Sequence, residues 1–68
     1  MKKLYEYRKR NNYSCQDMAN KLSMSKSFYW QIENQKRGLS YKTAIKIANV
    51  FKVKPDTIFY DDYKNLHN

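Results

Sequence analysis

The feature that most limits how this chain can fold is its lack of backbone punctuation: one glycine and one proline in 68 residues. A barrel or sandwich needs a turn signal every few residues, so many-turned β architectures are excluded and helices are favoured. Serines mark the breaks instead. Ser14, Ser25 and Ser40 each precede a run with helical periodicity, where a hydroxyl can accept a hydrogen bond from an orphan N–H of the first turn. Ser14 and Asp17 also have the spacing of a capping box.

These signals divide the chain into five helices. Helix 1 is expected from Lys3 to Asn11, with Leu4 and Tyr7 inward, Lys9 in solvent and Asn11-Asn12 as the stop. Helix 2 covers Cys15 to Leu22 with Met18, Ala19 and Leu22 on one stripe, and Ser23-Met24-Ser25 turns the chain into helix 3, Lys26 to Asn34. Helix 4 spans Tyr41 to Phe51, where Ala44, Ile45, Ile47, Ala48 and Phe51 form an apolar band suited to the middle of a small bundle. Val53 anchors the next turn. Pro55 suits the first position of a short fifth helix, because its missing N–H would be an orphan anyway, and Ile58 and Phe59 close the core. The expected organisation is one domain over residues 1–60 with a short tail over residues 61–68.

Composition sets the partner class. The formal charge of +8 points to a polyanion, and 16% aromatic residues are too many for a disordered basic tail. The charge is uneven: residues 1–38 carry nine Lys plus Arg against three acids, and residues 39–68 carry five against three. A chain this short buries only about 60% of the surface its unfolded form exposes, so a binding module is favoured over an enzyme with a dry cleft. Cys15 has no partner for an internal disulfide, and no apolar run approaches the roughly 20 residues that span a bilayer, which fits a reducing cytoplasm.

Helix 3 has an unusual outward face. With about 100° per residue and Tyr29 at zero, Ile32 and Glu33 fall within about 60° of it and define the inward arc. Ser27, Trp30, Gln31 and Asn34 fall on the opposite side, flanked by Lys26 and Phe28. Polar residues there are compatible with a merely solvated face. A tryptophan pointing away from the core is not ordinary, since tryptophan is largely buried in most folds and enriched at interfaces.

Ser14-Cys15-Gln16-Asp17-Met18-Ala19, Leu22-Ser23-Met24-Ser25, Tyr29, Ile32-Glu33-Asn34 and the segment from Ser40 to Val53 together resemble the helix-turn-helix domain of the Xre and phage Cro/repressor family. The resemblance covers Leu4 to Phe59 and implies an all-α, five-helix, lambda-repressor-like fold. Its specificity lies in the combined spacing of a small Ala19 at a helix crossing, an apolar Met24 in the turn, a serine cap, and Tyr29 and Ile32 in the next helix. It implies a structural ion pair between Arg8 and Glu33. It makes Lys26, Ser27, Phe28, Trp30 and Gln31 the base-reading set, with Phe28 on a thymine methyl. Cys15, Gln16, Asn34, Lys36, Arg37 and Lys42 become the phosphate set, aided by the N-terminus of helix 2.

The implied function is a small transcriptional regulator, a repressor, bound to a palindromic double-stranded DNA operator. A homodimer through Phe59, Tyr60, Tyr63 and Leu66 is the expected assembly. Three positions depart from the family pattern. Cys15 stands where glutamine is usual, Ser23 replaces a turn glycine, and Gln35 occupies the place of a glycine that ends helix 3, which shifts the expected stop to Gly38 and lengthens that helix.

Other chemistries find little support. Cys15 and His67 are the sole cysteine and histidine, so no metal site is expected, and a single glycine allows no phosphate-cradling loop. Asp61-Asp62 has neither nucleophile nor histidine beside it, which leaves no catalytic reading and no cofactor. Two binding classes stand beside DNA recognition. One is a protein-interaction module of antirepressor or antitoxin type that docks through Phe28 and Trp30; the other is RNA binding by stacking on tyrosine and tryptophan.

Overall fold

The computed structural model describes residues 1–66, with side-chain surroundings through Tyr60. Five helices follow one another: α1 (Lys2–Arg10), α2 (Cys15–Leu22), α3 (Lys26–Glu33), α4 (Tyr41–Val50) and α5 (Pro55–Leu66). α2 packs on α3 and α4, and α5 closes against α1 and α4. The shared core contains Leu4, Met18, Ala19, Leu22, Tyr29, Ile32, Ala44, Ile47, Ala48, Ile58 and Phe59. Full burial contributes roughly 1.5–3 kcal/mol for each of the large aliphatic side chains. Tyr7 and Tyr13 gather on Phe51, with ring centroids 5.5 and 6.2 Å apart, and extend the core under the α1–α2 turn.

The serine starts are realised as read. Ser14, Ser25 and Ser40 accept from the backbone N–H of Asp17, Phe28 and Thr43, respectively. At α2 the box is complete, since the Asp17 carboxylate accepts from the Ser14 N–H at 2.8 Å. The Ser14 N–H first, and interaction of its hydroxyl with the carboxylate second, hold the Asp17 carboxyl below its usual range.

Helix stops follow a rule that composition hides. Asn12, Ser23, Gln35 and Lys52 all have φ between 56 and 59°, although none is glycine. Each sits just after a helix, and the next residue's N–H reaches back to a carbonyl five positions earlier: Tyr13 to Arg8, Met24 to Ala19, Lys36 to Gln31 and Val53 to Ala48. These are Schellman closures, which usually recruit glycine because a Cβ in the left-handed region costs about 1–2 kcal/mol.

Several expectations need correction. α3 ends at Glu33 with Asn34 as its cap, so it is not lengthened, and Gly38 has no positive φ and stops nothing. Gln35 itself takes the left-handed position. Ile45 is 36% exposed and drops out of the α4 band, because the core on that side is filled by Ala44, Ile47 and Ala48. The fifth helix is not short. It runs from Pro55 to Leu66, so residues 61–66 continue the helix. His67 lies outside the described residues.

Candidate nucleic-acid interface

α2 and α3 are joined by the three residues Ser23, Met24 and Ser25. The left-handed Ser23 reverses the chain, Met24 tucks against the core, and Ser25 restarts the helix as its cap. Ala19, with no exposed surface, permits close approach of the two helices. Local sequence thereby fixes the angle at which α3 leaves the body of the protein.

The inward side of α3 is locked by a buried polar cluster. Glu33 is 6% exposed and Arg8 8%. Arg8 Nε donates to Glu33 Oε1 at 2.8 Å and Nη2 to Oε2 at 3.1 Å, a bidentate fork. Arg8 Nη1 donates to the Tyr13 carbonyl at 2.9 Å, and the Tyr29 hydroxyl donates to Glu33 Oε1 at 3.0 Å. The cluster thus ties α1, the α1–α2 turn and α3 together. Hydrogen bonding to Glu33 raises the Arg8 pKa above its ordinary value, outweighing the opposing effect of burial. Burial first, and the neighbouring Glu33 charge second, push the Tyr29 phenol far above its usual range.

The outward side carries the residues singled out in the sequence. Lys26, Ser27, Phe28, Trp30 and Asn34 are exposed and Gln31 is half-buried. Trp30, with 47% of its surface in solvent, points away from the core as the helical rotation requires. The polar groups are linked: Gln31 Nε2 donates to Ser27 Oγ at 3.3 Å, Arg37 Nε donates to Gln31 Oε1 at 3.2 Å, and the Arg37 guanidinium lies 4.5 Å from the Phe28 ring centroid. Asn34 turns back on α3, its amide donating to the Trp30 carbonyl at 2.9 Å.

Beside this face, a shallow groove at the start of α2 brings Lys9, Ser14, Cys15, Gln16 and Lys26 together. The first N–H groups of a helix have no intrahelical acceptor and carry the positive end of its dipole, so the groove favours an anion. Cys15 is half-buried and packs on the core, which leaves its backbone, not its thiol, facing that role. Gln16 is exposed, with its amide donating to Asn20 Oδ1 at 2.9 Å. Lys36 and Arg37 are exposed after α3, and Lys42 is exposed in the first turn of α4.

Three features escaped the sequence reading. Lys9, read only as a solvated residue, borders the groove with Lys26. Tyr41 is 68% exposed beside Lys42, and an aromatic directly behind a serine cap in a basic chain was its available signal. The return of Arg37 onto Phe28 had no periodic signal at all. In the dimer set, Phe59 is fully buried and cannot form an intersubunit contact, whereas Tyr60 is 57% exposed. The side chains of Tyr63 and Leu66 lie outside the described residues. Among the described residues no helix is long and apolar enough to cross a membrane, and no group of three or more His, Cys, Asp or Glu could hold a metal.

Two short helices joined by a tight turn, the second held by its inward side and presenting a polar, aromatic outward side, define a helix-turn-helix architecture. The family model described as a helix-turn-helix domain matches residues 1–61, and the chain belongs to that family, with the Xre-like form anticipated from its motifs. An uncharacterized HTH-type transcriptional regulator of Methanocaldococcus jannaschii is 43% identical over 61 residues, covering 88% of this chain and 92% of that protein. No solved structure matches the chain.

Proposed function

We propose that this protein is a sequence-specific double-stranded DNA-binding regulator that acts as a repressor, with α3 inserted in the major groove. The observation that carries this reading is the asymmetry of α3: Glu33 is clamped by Arg8 and Tyr29 on one side, while Ser27, Trp30 and Gln31 are presented on the other. Ser and Gln side chains with a basic residue match the donor and acceptor pattern of base edges, and Phe28 suits a thymine methyl. The cationic groove at α2 then grips one phosphate through Cys15 and Gln16 N–H groups, helped by Lys26. Asn34, Lys36 and Lys42 take further backbone contacts.

The regulator with 43% identity supports the same reading. Occupancy of a promoter's major groove excludes other proteins, and that exclusion is the output we assign. Two copies on a palindromic operator would place their α3 helices about 34 Å apart, with the exposed Tyr60 available for the contact between them. The protein would act in the cytoplasm, without catalysis or cofactor.

Selection from a randomised duplex DNA pool at two salt concentrations, with the mass of the complex measured on DNA, tests this. A palindromic motif, two protomers and steep loss of affinity with salt are expected. Absence of retention even at low salt would contradict the reading and turn Phe28 and Trp30 into a protein-docking surface of the antirepressor or antitoxin kind.

A further inference from the structure

The family resemblance implies that Arg37 is a phosphate contact, one of several basic residues after α3. Its geometry points elsewhere. Asn34 caps α3 and the left-handed Gln35 reverses the chain, so Arg37 folds back over the helix it has just left. Its guanidinium lies on the Phe28 face, 4.5 Å from the ring centroid, and its Nε donates to Gln31 Oε1 at 3.2 Å. Gln31 is in turn steadied by donating to Ser27 Oγ.

An arginine side chain has many rotamers to lose on binding, and a planar fork already held in place loses fewer of them. A diffuse phosphate charge needs no such restraint. With Nε engaged, the free edge of the guanidinium is the end formed by Nη1 and Nη2, and neither has a partner among the described residues. That pair of parallel donors matches the O6 and N7 acceptors of guanine in the major groove. The guanidinium also sits between Phe28 and Gln31, at the margin of the outward face of α3, where base edges lie if that face enters the groove.

We infer that Arg37 is a base-reading residue, selecting one guanine per half-site, and that Gln31 and Phe28 are positioning residues for it. The inference rests on the DNA-binding reading and narrows it. Gln31 still has an acceptor lone pair and an amide hydrogen free, but its existing bonds make it first a brace for Arg37. Direct base contact by Gln31 is secondary.

The test measures relative affinity for duplexes differing at the selected position, using wild-type protein and the variants R37K, R37A, Q31A and Q31E. Arg37→Lys keeps the charge and loses the fork. It should lower the preference for guanine roughly tenfold or more while leaving the salt slope unchanged. Replacing that guanine by 7-deazaguanine, which lacks the N7 acceptor, should weaken wild-type binding and leave R37K nearly unaffected. Gln31→Ala should reduce the same preference, and Gln31→Glu, which restores an acceptor for Arg37 Nε, should recover the preference ratio even if added negative charge lowers overall affinity.

An R37A protein that keeps the wild-type preference for guanine overturns the inference. So does an R37A protein that loses affinity equally on every sequence with a salt slope smaller by about 1, the mark of a phosphate contact. In either case the wild-type protein still selects a motif and the DNA-binding reading stands. Wild-type protein that retains no duplex at all overturns both.

Discussion

The two sides of α3 obey opposite rules. On the inner side, Glu33 accepts three side-chain hydrogen bonds and has almost no solvent, so its position is set by geometry that a single deletion would ruin. On the outer side, Ser27, Gln31 and Arg37 form a weaker exposed chain whose outermost donors remain free. The contrast teaches that an interface on so small a protein is made rigid from behind. Its stability belongs to one side and its specificity to the other.

The strongest way to break this contrast is Glu33→Ala. It leaves the Arg8 charge buried and unpaired, and should lower the unfolding free energy by about 3–5 kcal/mol in denaturant titrations. A loss below 1 kcal/mol would mean that the cluster is not what holds α3. Lys52→Gly, remote from both sides, should instead raise stability by about 1 kcal/mol, since glycine relieves the left-handed Schellman position at the end of α4. No gain on thermal or denaturant unfolding would remove strain at that stop from the account.

A third prediction uses the Tyr29 phenol, whose folded pKa is raised by burial and by Glu33. A group with a raised folded pKa contributes stability that is complete below its unfolded value, about 10, and is lost progressively as pH rises beyond it. Stability should therefore decline above about pH 10, and Tyr29→Phe should flatten that decline while costing stability at neutral pH through the lost hydrogen bond to Glu33. An alkaline decline of the same steepness in both proteins would contradict the assignment. The smallest expected effect on folding is Trp30→Ala, within about 0.5 kcal/mol because the ring is half in solvent. The same change should remove at least about 1 kcal/mol of duplex affinity if Trp30 is an anchor of the interface, and unchanged affinity would separate Trp30 from the site.

Much of this contrast was legible in the sequence because its determinants are local. A serine followed by a periodic run fixes where α2, α3 and α4 begin, and rotation by 3.6 residues per turn separates Glu33 and Ile32 from Trp30 and Gln31 without tertiary information. The Arg8–Glu33 pair, 25 residues apart, came instead from the family resemblance. Helix stops were harder. Gln35 and Lys52 carry no intrinsic preference for a left-handed backbone, so their role emerges only from the closing hydrogen bonds, whereas Gly38, whose residue type suggests a stop, has no positive φ.

Ile45 failed for another reason: helical periodicity defines an apolar arc, but the neighbouring helices decide how much of that arc they cover. Arg37 lay beyond any pattern, since its contacts with Phe28 and Gln31 depend on how the chain reverses after α3. In the anticipated dimer set, burial of Phe59 showed that aromatic content near a terminus does not distinguish core from contact surface.

The central claim is that the outward side of α3, together with the start of α2, is where duplex DNA binds. Amide chemical shifts followed residue by residue during titration with a selected duplex test it most directly. The largest changes are expected on residues 15–16 and 26–37, with little change at the buried Ile47, Ala48, Ile58 and Phe59. Changes concentrated around Tyr41, Ile45 and Tyr60, with the N-terminal half of α3 silent, would contradict it.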